Sequence, residues 1–513
     1  MITYAAALLA VLGAWLGWAN PVRQEPLLVL LFPAGLAWLA ISAGSPTQAA
    51  RRGFLTALAA YLGCLYWIFV PVHRYGNIPL VLALPCPVLL SMYLSAYTAL
   101  YCGLLRWARP KLPPLALGLF AGLLWASLEL AVGVIFTGFP WLPLAAALVP
   151  RPFAIQFAAI AGSAGTAALL VTATTWLVLP GKRQPLTLPR LLAVLLLAGW
   201  AAFGLARVDA PLPKGRIATI GIVQGNIDQT LKWDPGHQAD TVSRYISLSE
   251  RLVKESHADL VIWPETALPF FLQELTHDGA RVRNFARTRE TLLLTGSPAY
   301  EFDLANNLYT MYNRAYLIGG EGGALGQYDK MHLVPFGEYV PLGSILPLSK
   351  LVQAVGDFRG GQDGRPLVGG HLALGVLICY ETIFPALAQE RVSLGANVLV
   401  NISNDAWFGD TSAPRQHLHL AALRAVEQGR YMIRSTNSGI SAIIDPHGRI
   451  VQETGLFHAA AMSGTIRAVH EDTVYHGLAS LLHGAIIALT LLLAAWAMLR
   501  ARKPQAREAK RSI

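Results

Sequence analysis

The run LGVLICYETIFP, Leu374 to Pro385, opens with a short apolar stretch, Leu374 to Ile378, and carries Cys379 at its end. Runs of the same kind recur at Ile217 to Val223, Leu260 to Trp263, Thr291 to Leu294, Ala315 to Ile318 and Val398 to Ile402, and each reads as a strand. Between them, apolar residues repeat at helical spacing around Thr241 to Lys254, Val282 to Glu290 and His417 to Arg430. Strands alternating with helices predict a layered α/β domain. The polar interval that holds them, about Arg207 to Tyr475, is of single-domain size.

Outside that interval the chain changes character. Of its 513 residues, 54% are hydrophobic and only 14% charged, where soluble domains carry about a quarter. A bilayer core takes roughly 20 apolar residues per helix. Seven such segments precede residue 207, at about Tyr4 to Trp18, Pro26 to Ile41, Phe54 to Val72, Ile78 to Leu105, Pro114 to Phe136, Phe153 to Leu179 and Leu188 to Leu205. An eighth, about Leu478 to Leu499, follows the polar interval. Pro79, Pro85 and Pro87 are expected to break or kink the fourth, where neighbours must satisfy the freed backbone groups. No Lys or Arg precedes Tyr4, so the first segment reads as a retained helix rather than a secretory signal.

Lys and Arg in short loops mark the cytoplasmic side. They gather at Arg51 and Arg52, at Arg106, Arg109 and Lys111, at Lys182, Arg183 and Arg190, and in the tail at Arg500, Arg502, Lys503, Arg507, Lys510 and Arg511. The intervening loops hold only Arg23, Arg74 and Arg151. Both termini are therefore expected to be cytoplasmic, in a bacterial inner membrane. The expected order is a seven-helix domain (1–206), a periplasmic α/β domain (207–474), a C-terminal membrane helix (475–499) and a basic cytoplasmic tail (500–513). The net charge of +10 flanks apolar segments instead of a nucleic-acid-reading motif, which argues against a nucleic-acid partner.

Cys64, Cys86 and Cys102 lie in apolar runs, and no CxxC or His-spaced pattern joins them to Cys379. A strand end fixes a side chain, and a following helix N-terminus lowers a thiol pKa, so Cys379 is a candidate nucleophile. A buried packing cysteine is the ordinary alternative, but an oxidising compartment makes a lone thiol a liability. Glu265 follows Trp263-Pro264 at another strand end, between apolar residues, where a carboxylate can take the thiol proton and return it to a leaving group. Lys330, in YDKMHLVPFGEYVP, supplies an ammonium that can lower the thiol pKa and stabilise an oxyanion. Taken singly, a loop Glu or a Lys is usually a solvated surface residue. The three fragments together point to an enzyme. His417 and His419, two apart on a predicted helix, face different sides and make a poor metal pair, so no metal and no cofactor are expected.

The strings WPE, YDKMHLVPFGEYVP and ICYE, in this order, resemble the Glu-Lys-Cys triad of the nitrilase, or carbon-nitrogen hydrolase, superfamily. That resemblance implies an αββα sandwich. With the flanking helices, nearly the whole chain resembles the apolipoprotein N-acyltransferases, a family of bacterial inner-membrane enzymes. The resemblance implies that Cys379 attacks a phospholipid ester and becomes acylated, with Glu265 as general base and Lys330 on the oxyanion. It adds Glu338, Tyr380 and Glu381 as supporting residues, and Trp233 (in QTLKWDP) and Asn313 (in MYNRAY) at positions associated with activity. Each has an ordinary alternative: the two Glu can orient Lys330 or cap a helix, and Trp233 and Tyr380 can simply pack. NDAWFGDTSAPRQH resembles a loop near the active site, where Trp407 and Phe408 either contact acyl chains or the membrane surface or pack in the core.

The implied partners are a phospholipid donor, an apolipoprotein bearing an S-diacylglyceryl cysteine whose α-amino group accepts the acyl chain, and the bilayer, with the protein acting as a monomer. Withdrawing acyl chains from lipid costs about 0.8 kcal/mol per methylene, which accounts for a membrane domain. Two rivals stand. A membrane-anchored amidase or nitrilase would release acid to water. A transporter with an inactive domain conflicts with helices that hold almost no charge, Glu129 excepted.

Overall fold

The computed structural model describes residues 2–76, 78–180, 187–303, 307–339 and 358–509. Lys182, Arg183, Val340, Pro341, Lys510 and Arg511 of the segments above lie outside them. The chain forms two units. One is helical and comprises residues up to Trp67, Leu84–Ala210 and the chain from Thr473. The other joins Ile68–Ala83 to Pro211–Asp472.

The apolar runs become helices with shifted ends. Among the described residues, six helical stretches are long and apolar enough to cross a membrane: Pro46–Tyr75, Leu80–Ala108, Pro114–Val132, Ala158–Val178, Leu188–Val208 and Val474–Arg500. The first two expected segments form shorter apolar helices, Ile2–Gly17 and Pro26–Ser42, the latter entering through a 3₁₀ turn at Pro26–Leu30. Of the three prolines, Pro85 marks the break, while Pro87 lies within the helix that follows. The helical stretch is interrupted after Leu80–Ala83, and Pro85 opens the helix Pro85–Ala108 at its first turn, where its missing N–H costs nothing.

The other unit is an αββα sandwich. One sheet has the order β12-β1-β2-β3-β4-β5 and the other β11-β10-β9-β8-β7-β6. The first contains β1 (Gly215–Gln224), β2 (Leu260–Ile262), β3 (Leu292–Asp303), β4 (Leu308–Ile318), β5 (Ala324–Asp329) and β12 (Ala460–Val469). The second contains β6 (Leu367–Gly369), β7 (Leu372–Ile378), β8 (Val398–Ser403), β9 (Met432–Thr436), β10 (Ala442–Ile444) and β11 (Ile450–Glu453). Strand alternation builds the layers. Leu260 and Ile262 of β2 meet Leu374, Val376 and Ile378 of β7 in the core between the sheets. Val261 faces the opposite way, onto Val242, Tyr245 and Leu252 of the helix Gln238–Ser256 and Val282 and Phe285 of the helix His277–Arg289. Helices Pro385–Ser393 and Ala413–Gln428 accompany the second sheet, the latter ending on Gly429 at φ +64°. The parallel pairs β1–β2, β2–β3, β7–β8 and β8–β9 bring the C-terminal ends of β2, β7 and β8 together, and the candidate site lies there.

Candidate active site

Cys379 is the first residue after β7 and opens a 3₁₀ turn, Cys379–Ile383. Its φ is +51°, in the left-handed region that costs a residue with a Cβ about 1–3 kcal/mol. Glu265 lies three residues past β2, and Thr266 after it has φ +45°. Gly296 of β3 lets this turn approach: a Cβ there would sit 2.5 Å from the Thr266 nitrogen and 2.9 Å from the Glu265 Cα.

Lys330 follows β5 and is 1% exposed. Its Nζ lies 3.0 and 2.8 Å from the two carboxylate oxygens of Glu338 and 3.8 Å from Glu265 Oε1. Asn313 of β4 donates its amide hydrogens to Glu265 Oε1 (2.7 Å) and Glu338 Oε1 (3.2 Å). The Asn404 N–H holds Glu265 Oε2 (2.8 Å), and the Val334 N–H holds Glu338 Oε2 (2.9 Å). One ammonium, two carboxylates and one amide thus form a polar cluster in a buried place, where such bonds are strong.

Burial pulls the Lys330 ammonium toward the neutral form, but Glu338, Glu265 and Cys379 outweigh it and hold the pKa above the ordinary value. Burial raises the Cys379 thiol, Glu265 raises it further, and Lys330 offsets only part. Both shifts favour a protonated thiol beside a charged lysine. Glu265 is the carboxylate that couples to both.

The other expected residues separate into groups. Glu338 joins Lys330. Glu381 does not: its Oε1 accepts from the Tyr328 hydroxyl (2.7 Å) and the N–H groups of Met331 (2.7 Å) and His332 (3.0 Å), and its Oε2 from the Ile378 N–H (2.6 Å). It ties the chain on both sides of Lys330 to the last residue of β7. Tyr380 packs edge-on against Phe384 at 5.2 Å. Trp233 is half-buried, and among the described residues its Nε1 has no hydrogen-bond partner. Trp407 and Phe408 are half-buried, Trp407 standing 4.9 Å from Tyr75.

Sequence reasoning missed several residues here. Lys232, beside Trp233 in QTLKWDP, is buried, and its Nζ donates to Thr266 Oγ1 (2.6 Å) and to the Glu265 carbonyl (3.4 Å). Asn404, Asp405 and Arg434 are given no role by the sequence reading either, and His417 enters it only as a poor metal ligand. An Asn-Asp pair directly after an apolar strand was the available signal for two of them.

A sandwich of this architecture defines a class. The Carbon-nitrogen hydrolase family model matches residues 219–470, and the model for the Apolipoprotein N-acyltransferase N-terminal domain matches residues 10–176. Saccharomyces cerevisiae Nit3, a member of branch 10 of the nitrilase superfamily, superposes with a TM-score of 0.39 at 19% identity, covering 53% of this chain and 97% of its own. Over full length, an apolipoprotein N-acyltransferase of Geobacter metallireducens is 38% identical over 499 residues, covering 93% of this chain and 95% of the relative. One from Nitrosomonas europaea is 34% identical over 472 residues, covering 90% of each. The chain belongs to the apolipoprotein N-acyltransferase family, and it is a multi-pass membrane protein.

Proposed function

We propose that this protein transfers a fatty acyl group from a phospholipid, through a thioester on Cys379, to the α-amino group of the S-diacylglyceryl cysteine that begins an apolipoprotein. Glu265 takes the thiol proton as sulfur attacks the ester carbonyl. Lys330 stabilises the oxyanion with a charge already in place. Collapse breaks the ester C–O bond, and Glu265 returns its proton to the departing lysophospholipid oxygen. The amine then attacks the thioester carbonyl, Glu265 takes a proton from its nitrogen, the C–S bond breaks as the amide forms, and that proton passes to the departing Cys379 sulfur.

The observation that carries this reading is the shared ammonium: Lys330 stays charged between Glu338 and Glu265 while burial keeps Cys379 protonated. Membership of the family supplies the substrates. Glu338 and Asn313 fix the ammonium and the base, Glu381 and Tyr380 shape the nucleophile's turn, and Trp233, Trp407 and Phe408 meet acyl chains. The charge pattern of the loops favours cytoplasmic termini, with residues 207–474 as a periplasmic catalytic domain of a monomeric inner-membrane enzyme.

The test is intact mass of the purified protein in detergent after incubation with phospholipid, for wild type and Cys379→Ala. A fatty-acyl adduct on wild type alone, discharged by a diacylglyceryl peptide as an N-acylated product, is expected. No adduct, with ammonia released from simple amides, would make the protein a membrane-anchored amidase instead.

A further inference from the structure

The strained main chain of Cys379 has a dedicated support. Its carbonyl accepts two hydrogen bonds, from His417 Nε2 at 3.1 Å and from Asn401 Nδ2 at 3.3 Å. A carbonyl oxygen only accepts, so the His417 Nε2 carries a hydrogen. On the far side of the ring, Nδ1 lies 3.2 Å from Asp405 Oδ1 and 3.0 Å from Arg434 Nη2. Arg434 Nη2 also donates to Asp405 Oδ2, its Nη1 to Asn401 Oδ1, and Ser403 Oγ to Asp405 Oδ1 (2.7 Å). All five side chains are buried.

The network accommodates the ring in either protonation state. A neutral ring accepts from Arg434 at Nδ1 and donates from Nε2, while an imidazolium donates from both nitrogens, to Asp405 and to Cys379. Both states keep the bond to the nucleophile's carbonyl. Burial and the Arg434 charge lower the imidazole's affinity for a proton against the pull of Asp405, which favours the neutral form. A group that only filled the core would need neither the fully paired carboxylate behind it nor a hydrogen bond to the one residue whose sulfur reacts.

We infer that His417, fixed by Asp405 and Arg434, is a positioning residue that holds the left-handed backbone of Cys379 and so aims its thiol at the acyl carbonyl. The inference rests on Cys379 being the nucleophile of the proposed transfer. Removing the bond frees a strained residue to relax, and misplacement of a nucleophile by about 1 Å costs on the order of 100-fold in rate.

The experiment uses the full-length protein in detergent and compares wild type, His417→Ala and His417→Gln. The Gln amide nitrogen occupies the place of Nε2 and keeps the donor. Two rates are read per folded molecule: single-turnover acylation by phospholipid, and alkylation by iodoacetamide followed on the Cys379 peptide. His417→Ala is expected to slow acylation by roughly 10- to 100-fold at saturating lipid, with the half-saturating lipid concentration unchanged. His417→Gln is expected to recover most of the loss, and alkylation to follow the same order. Wild-type rates in folded His417→Ala, or equal slowing by Ala and Gln, would overturn the inference. If His417→Ala does not fold, His417→Asn, too short to reach the carbonyl, replaces it with the same two outcomes. If wild type takes no acyl group at all, the lipid reading fails, and the alkylation rates decide the positioning role by themselves.

Discussion

Lys330 sits where two carboxylates compete for one ammonium, and in the proposed transfer that competition sets how free Glu265 is to act as the base. Glu338 makes the shorter contacts, so it satisfies most of the lysine and leaves Glu265, at 3.8 Å, less committed and available for the thiol proton. Glu338→Gln keeps the shape and removes one charge, which turns Lys330 toward Glu265 and draws the base into a tight pair. Acylation should fall by about 10- to 100-fold, the usual scale for losing one preorganised electrostatic group, with little change in melting temperature. Single-turnover mass measurements with parallel thermal scans check this. Lys232, on the other side of Glu265, carries a different signature. Burial lowers its pKa to about 8 against the pull of Glu265. Between that value and its ordinary one near 10.5 the folded protein binds fewer protons than the unfolded chain, so stability rises with pH across this window and is flat below it. The melting-temperature difference between wild type and Lys232→Met should therefore grow in favour of wild type from pH 8 to about 10; a constant difference would show that Lys232 does not titrate there.

At the level of strands and turns, the site depends on how closely β3 passes the end of β2. Gly296→Ala would put a methyl group 2.5 Å from the Thr266 nitrogen, where main chain cannot yield cheaply, so the turn carrying Glu265 must shift. Loss of acylation with the sandwich still folded is the expected outcome, read by intact mass and circular dichroism. A similar dependence holds in the helical unit. Glu129 Oε1 accepts from Trp125 Nε1 and the Leu144 N–H, both at 2.9 Å, and so pins the helix Pro114–Val132 to the turn Leu144–Leu148. Glu129→Gln keeps an acceptor oxygen and should melt near wild type. Glu129→Ala strands a buried N–H at a cost of about 1–3 kcal/mol and should melt several degrees lower. The legibility of these elements follows their chemistry. β2, β7 and β8 are short apolar runs, and Glu265 and Cys379 follow two of them, so one signal marks both the strand and the candidate site residue. β9 is wholly buried yet reads MIRST, because Arg434 is paired inside with Asp405 and Asn401. β11 is mostly exposed and has only two apolar residues, side by side, Ile450 and Val451. Neither presents an apolar signature. His417 was weighed only as a metal ligand, since its bond to Cys379 joins residues 38 apart and exists only once the sandwich forms.

Over the whole chain, the unexpected feature is the segment Ile68–Ala83. It lies in sequence between Trp67 and Leu84, both of the helical unit, yet belongs with the α/β unit. There the Tyr75 hydroxyl donates to the Ala406 carbonyl at 2.9 Å, and its ring stands edge-on to Trp407 at 4.9 Å and 75°. The turn it supports, Asp405–Phe408, directly follows Asn404, whose N–H holds the Glu265 carboxylate. A domain excised as residues 211–472 keeps Glu265, Lys330 and Cys379 but loses Tyr75, leaving the Trp407 turn without its partner. Such a fragment should take no acyl group from phospholipid where the full chain does, and its amide hydrogens at 404–409 should exchange faster. In the full-length protein, Tyr75→Ala should reproduce the faster exchange and slow acylation, while Tyr75→Phe, which keeps the ring against Trp407 and loses only the hydroxyl, should lie between. Acylation of the excised domain at the full-chain rate would mean that neither Ile68–Ala83 nor the helical unit is needed to bring lipid to Cys379, and the membrane part would then be an anchor.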